Sequence, residues 1–335
     1  MADKDEMQLR LMLADATFLT TKEKSLLQTS LESGAQFAEA SLKSISASVN
    51  REIRRAVWNG AESLKKAQVA VRLISALGIK WTAWDCADFP AMLTEMTDPP
   101  YMLFYRGNLD CLQSSCVSVV GTRRATPSAR KATEQFARDA AEDGCTVVSG
   151  LAYGIDSCAH RGTLLSANGQ TAAILPSGID TITPSVHKKL AERILQKGGL
   201  LMSEYVPGTP ALSFRFVQRN RIIAALSPVT VVAQAPSGSG ALITADYALA
   251  YGRDVMLHAE CFSEDAERIE RANLHDLRAK AALGKSVAHK LQNSVQRYRD
   301  DGAPVVASYA EYRQCRESAP GTIFCKKDDG QQSLF

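Results

Sequence analysis

CVSVVGTRRATPSARKATEQFARDAAEDGCTVVSGLAYGID, residues 116–156, holds the pattern that decides the fold. CVSVV (116–120) is a β-branched apolar run closed by Gly121. Thr126 followed by Pro127 is a helix start, a hydroxyl cap ahead of a proline at the first helical position. The helix predicted there carries Ala132, Phe136, Ala137, Ala140 and Ala141 on one face, and Gly144 ends it. CTVVSG (145–150) is a second strand. Both strands are apolar throughout rather than alternating, the pattern of a sheet covered on both faces.

The same alternation continues outward. Asp156 is predicted to cap a helix through Ala167, and TAAILP (171–176) to form a third strand. Thr183-Pro184 repeats the helix-start device, and that helix runs to Gly198-Gly199. LLMSE (200–204) is a strand, QRNRIIAAL (218–226) a helix, PVTVVAQA (228–235) a strand, ALITADYALAYG a helix and RDVMLHA a strand. Six strands alternating with five helices predict an α/β, Rossmann-like, doubly wound and mostly parallel sheet over 116–260. Ahead of it, helical spacing in MQLRLMLADA and EIRRAVWNGAESLKKAQVAVRLISAL predicts a small N-terminal helical module over 1–80. Residues 81–115 form a lead-in segment in which Pro99-Pro100 precedes the strand-like YMLFYRG. Residues 261–315 are expected to form a charged helical extension and a short αβ unit, and 316–335 a flexible tail.

Composition bounds the function. With 45% hydrophobic and 22% charged residues in 335, disorder of the whole chain is excluded. No apolar run approaches the ~18 residues that span a bilayer, and MADKDEMQLR is too charged for a signal peptide. A cytoplasmic protein without membrane contact is expected. Eight cysteines contain no C-x-x-C pair and share no ligand spacing with the five histidines, so reduced thiols are expected, with no metal and no cofactor. The net charge of +3 is uninformative, but residues 116–260 hold 14 basic against 11 acidic side chains, and ten of the basic ones are arginine. A guanidinium fork suits phosphate.

In a doubly wound sheet, ligands bind at the carboxyl ends of the strands, so the loops there matter most. GTRRATPS (121–128) puts Gly121, Thr122, Arg123 and Arg124 before a helix N-terminus, which reads as a phosphate site or as a loop with two solvated arginines. SGLAYGID (149–156) offers Ser149 and Gly150, for close backbone approach to a ligand or for tight packing; it is not a G-x-G-x-x-G fingerprint. PGTPALSFRFVQRNR (207–221), read as a loop leading into a helix, interleaves Phe214 and Phe216 with Arg215, Arg219, Asn220 and Arg221. That is the composition of a single-strand nucleic-acid surface, unless Phe216 is core and one arginine is structural. PSGSGALITA (236–245) supplies Ser237, Gly238, Ser239 and Gly240 as a further backbone-amide cradle. Three such loops on one sheet edge, with five arginines, favour a polyphosphate or nucleic-acid backbone. ALGKS (282–286) is no P-loop, because its earlier glycine position is Ala279 and a helix precedes it. His160 reads as a helix residue rather than a catalyst, and Asp156, Asp180, Glu204 and Asp246 as scattered acids able to pair with arginines.

In this order, SVVGTRRATPSAR, TVVSGLAYGIDSCAHRGTL, TAAILPSGID, LLMSEYVPGTP, FVQRNRIIAALS and SGSGALITADYAL resemble the DNA-processing protein A family (DprA, also called Smf) over about 95–260. The lead-in DPPYMLFYRGNLD fits the same pattern. The resemblance implies a Rossmann-like, dimeric, non-enzymatic protein that binds single-stranded DNA. It protects the strand and helps load RecA recombinase in natural transformation. It also implies a pocket made of Gly121, Thr122 and Arg123, of Phe216 with the arginines around it, and of the loop 237–240. The chain departs from the pattern at several points. The region 1–80 is only loosely like the family's N-terminal module, 261–300 is unusually charged, and the C-terminal winged helix of many members is expected to be absent. Where members often carry a lysine, this chain has Ser213 and then Arg215.

QQSLF (331–335) resembles a sliding-clamp-binding peptide, with Gln331, Leu334 and Phe335 as its contacts, or is a polar tail ending in two apolar residues. Two other functional readings stand beside DNA binding: a Rossmann-like nucleotide-processing enzyme of the phosphoribohydrolase type, which needs a catalytic acid near the SGSG loop, and a pure adaptor working through its two ends.

Overall fold

Strands β1 (Lys80–Ala83), β2 (Met102–Gly107), β3 (Cys116–Gly121), β4 (Thr146–Ser149), β5 (Thr171–Ile174), β6 (Leu200–Ser203), β7 (Val229–Gln234), β8 (Asp254–His258) and β9 (Val305–Val306) pair into one sheet in the order β1-β2-β6-β5-β4-β3-β7-β8-β9. The computed structural model of the chain describes residues 2–318; Cys325 and the QQSLF peptide lie outside the described residues. From β6 to β9 every pairing is parallel, whereas β2 joins β6, and β1 joins β2, antiparallel. The strands β3 to β6 are laid down successively to one side of β3, and β7 to β9 to the other. The winding therefore reverses between β3 and β7, and the crevice outside their carboxyl ends is the topological switch point.

Helices cover both faces. Five N-terminal helices, α1 (Ala2–Asp15), α2 (Thr21–Ser30), α3 (Gly34–Glu39), α4 (Leu42–Ser48) and α5 (Gly60–Leu77), are followed by the short α6 (Ala91–Thr94). The core adds α7 (Pro127–Glu142), α8 (Ile155–Thr163), α9 (Lys188–Gln196), α10 (Ser213–Ala225) and α11 (Gly240–Ala250), and the chain continues through α12 (Glu264–Ala282), α13 (Ala288–Gln292), α14 (Val295–Asp300) and α15 (Tyr309–Ser318). Strand residues alternate between two cores. Val117, Val119, Val147 and Val231 pack with Phe136, Ile155, Ala159 and Tyr312, while Val120, Val148, Ile174 and Val232 pack with Ile222, Ile223, Leu242 and Tyr298. Burial on both faces is why these strands read as continuous apolar runs. Phe136 meets Tyr309 and Tyr312 edge-on at 5.5 and 5.7 Å, which fastens α15 under the sheet. The N-terminal helices share a core with the sheet, with Leu9, Met12, Phe37 and Ala70 packed alongside Phe104, Ile194 and Leu201.

Several sequence expectations change. Asp156 does not cap α8: its N-cap is Gly154, without a side-chain bond, and the helix ends at Thr163. Thr183 does not cap a helix either; a short 3-10 turn, Ser185–His187, leads into α9. The helix predicted from Gln218 starts earlier, so that residues 213–217 are the first turn of α10 rather than a loop, and the N-cap Leu212 offers no side-chain signal. α15 extends through Ser318, into the segment expected as tail. The Thr126 cap forms as predicted, its hydroxyl accepting from the Ala129 amide at 3.2 Å with Pro127 beside it. No helix among the described residues is long and apolar enough to cross a membrane. The seven cysteines described are all free thiols, and no cluster of three metal-ligating side chains occurs among the described residues.

Candidate nucleic-acid interface

The two switch-point loops are tied together before they form anything. The Thr122 amide donates to the Gln234 carbonyl at 2.7 Å. The Gln234 side chain accepts from the Thr126 amide at 2.9 Å and donates to the Thr126 hydroxyl at 3.1 Å. Gln234 is buried at the end of β7 and fixes where α7 begins relative to β3. Sequence reading passed over it, because a glutamine inside an apolar strand carries no local signal.

A cleft of about 390 Å3 opens at this crevice. Gly121, Thr122, Arg123 and Arg124 form one wall, Ser239, Gly240 and Thr244 the opposite one, and Phe216, Arg219 and Asn220 of α10 the third, with Asp156 between them. Arg123 and Arg124 are exposed, and neither makes an ion pair among the described residues. The Arg123 guanidinium lies over the Phe216 ring, 5.1 Å from its centre. Across from them, Ser239 takes the extended N-cap conformation of α11, yet its hydroxyl caps no amide. That hydroxyl is buried with no partner among the described residues. A buried donor left unpaired beside free helix N-terminal amides is the arrangement that receives an anion.

Arg219 and Arg221 do different work from that expected of them. Arg219 is buried and donates to the carbonyls of Gly150, at 2.8 Å, and Ile174. It faces Asp156, which accepts from the amides of Gly150 at 3.2 Å and Ala152 at 3.4 Å. Burial is the largest influence on both: it lowers the Arg219 guanidinium to about 10 and raises the Asp156 carboxyl, and each is opposed by the other's charge. The guanidinium stays charged at neutral pH and holds the floor of the cleft. Arg221, also buried, pairs with Glu204 and donates to the Asp98 carbonyl at 2.8 Å. Neither arginine is exposed to a strand in solution; they position α10.

Two other expected residues, Ser149 and Gly150, fall outside the cleft. Ser149 is buried and donates to the Val119 carbonyl at 2.7 Å. Gly150 is glycine because a Cβ there would lie 2.6 Å from Arg219 and 2.7 Å from Asp156, so the close approach it allows is to these two side chains, not to a ligand. The following Leu151 is held at φ +57, a conformation costing ~1–3 kcal/mol that persists only where its surroundings impose it. Here its carbonyl is bonded to His187 at 2.7 Å.

The 237–240 loop is divided. Ser239 and Gly240 face the cleft. The Ser237 amide donates to Glu270 of α12 at 2.8 Å and its hydroxyl to the same carboxylate, while the Gly238 amide donates to the Asn293 carbonyl at 2.8 Å. Ser237 therefore faces a separate cavity of about 600 Å3 under α12. Asn220 lines the cleft and pins its third wall to the second, donating to the Gly240 carbonyl at 3.1 Å. Arg215 points away, its guanidinium bonded to the Pro210 carbonyl at 2.5 Å.

The likeness to known proteins is concentrated in the same part of the chain. Residues 80–294 match the family described as DNA recombination-mediator protein A. Protein Smf of Synechocystis sp. is 43% identical over 175 residues, 51% of this chain and 44% of its own length. The DNA processing protein DprA of Streptococcus pneumoniae is 42% identical over 171 residues, 51% of this chain and 59% of its own. Protein Smf of Escherichia coli is 40% identical over 171 residues, covering 46% of its length. The chain thus spans about half the length of these curated relatives. The X-ray structure of DprA from Streptococcus pneumoniae superposes with a TM-score of 0.65 at 28% identity, covering 92% of this chain and 97% of that one. DNA processing protein A of Helicobacter pylori, described as having a unique single-stranded DNA binding mode, superposes with a TM-score of 0.55 at 24% identity over 71% of this chain and 96% of that one, a likeness of fold.

Proposed function

This chain belongs to the DNA recombination-mediator protein A family, and on that premise we propose that it binds single-stranded DNA, without sequence preference, in the cleft at the β3–β7 crevice. The strand's phosphates meet Arg123, Arg124 and the amides at the start of α11, and a base stacks on Phe216. The meeting of two unpaired arginines, an accessible aromatic ring and an open helix N-terminus at the switch point supports this reading above any other feature. A duplex hides its base faces in the stack, so an aromatic platform selects the single strand. Phosphate contacts carry no base identity.

The proposal extends to a non-catalytic mediator that works as a homodimer and hands its strand to RecA recombinase. The acid nearest the bound strand, Asp156, accepts from two backbone amides and faces the charge of Arg219, which supports holding rather than cleaving. We also keep the QQSLF peptide as a proposed sliding-clamp contact; a pull-down in which deletion of 331–335 leaves clamp capture unchanged would end that part.

Fluorescence anisotropy of a labelled oligo-dT strand, alone and as a duplex, tests the proposal across a salt series. Tight, salt-sensitive binding of the single strand and much weaker binding of the duplex is the expected outcome. Equal affinity for both, or release of free base from a nucleoside monophosphate, would overturn it.

A further inference from the structure

Helix α10 carries a second aromatic and arginine cluster that the cleft does not use. Arg215 lies between two rings, its guanidinium 5.3 Å from the centre of Phe214 and 5.3 Å from that of Tyr205. Tyr205 is held in turn, its hydroxyl bonded to Gln218 at 3.1 Å. Phe214 stands 57% exposed and Val217 37% exposed, with exposed Leu212 just before the helix. An exposed phenylalanine beside an ordered cation is a poor choice for a surface facing only water. Burying that ring would gain apolar free energy, and the chain leaves it open.

The cluster borders a groove of about 670 Å3 lined by Tyr205, Phe214, Arg215, Val217 and Gln218. Val217 also lines the phosphate-and-base cleft, so the two hollows share a ridge. At about 100° per residue, Phe214 and Phe216 flank Val217 on the exposed side of the first turns of α10. The two hollows carry the same chemistry: a guanidinium stacked on an aromatic ring that a base can cover. The acids in the groove do not cancel Arg215, since Glu204 is paired with Arg221 and only Asp15 stands near the rim. Among the described residues, Arg215 uses its N–H groups only toward the Pro210 carbonyl, so other donors face outward.

We propose that Phe214, Arg215 and Tyr205 form a second nucleotide platform, on which the strand leaving the Phe216 cleft stacks a further base after crossing Val217. This rests on the single-strand reading above and adds to it a path. The occupant is an unpaired nucleotide of the same strand, because the groove continues the cleft and repeats its cation-and-ring composition. The platform makes affinity depend on strand length. A strand just long enough to fill the cleft ignores Phe214, and a longer one does not.

The test uses the full chain with labelled oligo-dT of about 4 and about 16 nucleotides, the range over which single-strand sites are filled. Phe214→Ala, a change at an exposed site, is expected to weaken the long strand by roughly five- to hundredfold, the effect of one lost stack, and to leave the short strand unchanged. Phe216→Ala weakens both. In a Phe214→Trp chain, the added indole fluorescence is quenched by the long strand and not by the short one. If Phe216→Ala weakens both strands while Phe214→Ala changes neither, the second platform is wrong and the cleft stands. If the unaltered chain binds neither strand, the underlying reading fails instead. If Phe214→Ala shifts the sedimentation coefficient and not the DNA affinity, the patch belongs to a contact between copies of this chain, which also overturns the platform.

Discussion

The guanidinium of Arg123 lies over the ring of Phe216, 5.1 Å from its centre, although the two residues come from different walls of the cleft, one from the β3 loop and one from α10. The ring supports the cation from below, and the cation keeps its charge toward solvent. A phosphate and its base can therefore be held by one preassembled pair, with little ordering left to do at binding.

Losing the ring should remove both contributions. Phe216→Ala is expected to weaken single-strand binding by ~1–3 kcal/mol with normal folding, while Phe216→Trp retains it. Because Arg123 leans on the ring, the double variant Arg123→Ala/Phe216→Ala should lose less than the sum of the single losses. A double-mutant cycle in anisotropy checks this, and strict additivity would mean that the two residues act separately.

Arg219 should behave as a structural residue. Arg219→Met leaves the buried Asp156 carboxyl without the nearby positive charge that opposes its burial, and the Gly150 and Ile174 carbonyls without their donor, a defect of about 3–5 kcal/mol. Urea unfolding reads it directly. Adding Asp156→Asn is expected to restore part of the stability, which it would not do if Arg219 acted mainly on DNA.

The divided 237–240 loop predicts a contrast. Ser237→Ala removes a hydroxyl already bonded to Glu270, so single-strand affinity should stay unchanged. A Cβ at Gly240 meets no protein atom within 4 Å, so Gly240→Ala should fold normally. That methyl stands at the helix start proposed to take a phosphate, and a loss of about 1–2 kcal/mol of binding is expected. Affinities of both variants at one salt concentration decide it, and reversed effects would move the phosphate to the other half of the loop.

His160 gives a pH signature in stability. Its Nδ1 is 2.7 Å from the Thr171 hydroxyl, which itself donates to the Val147 carbonyl, so Nδ1 carries the proton. Burial pushes the ring down to about 3 from 6.5. The folded state resists protonation that the unfolded chain accepts. The stability tied to the neutral ring is therefore complete above pH 6.5 and lost as pH falls toward 3, at up to ~1.4 kcal/mol per pH unit. His160→Leu should be less stable than the parent by about 1 kcal/mol near pH 8, from the lost hydrogen bond. It should overtake the parent below about pH 5. Urea midpoints over that range measure the crossing; a constant difference would mean that the fold does not shift the ring's titration.

Much of the fold is legible locally. The Thr126-Pro127 start, the glycine that ends β3 and the doubly apolar strands are each set within a few residues, and together they predict a doubly wound sheet; its strand order, and so the switch point between β3 and β7, comes from the three-dimensional pairing. The start of α10 was hidden because Leu212 and Ser213 supply no cap, so the phenylalanines read as loop residues. The roles of the arginines were hidden for another reason. Arg219, Arg221 and Ser237 are each satisfied by partners far along the chain, at Gly150 and Ile174, at Glu204, and at Glu270. Composition shows that guanidiniums are plentiful; only three-dimensional packing shows which of them are still free. The short strand β1, KWTA, was unreadable alone, because its partner β2 begins well beyond it across a proline pair.

The claim that the β3–β7 cleft holds phosphate is tested most directly by the salt dependence of oligo-dT binding for the parent chain and for Arg123→Ala. One lost phosphate contact is expected to weaken binding and to lower the slope of log affinity against log salt by about 0.7. An Arg123→Ala chain that binds with the parent's affinity and the parent's slope would contradict the account and place the strand elsewhere on the molecule.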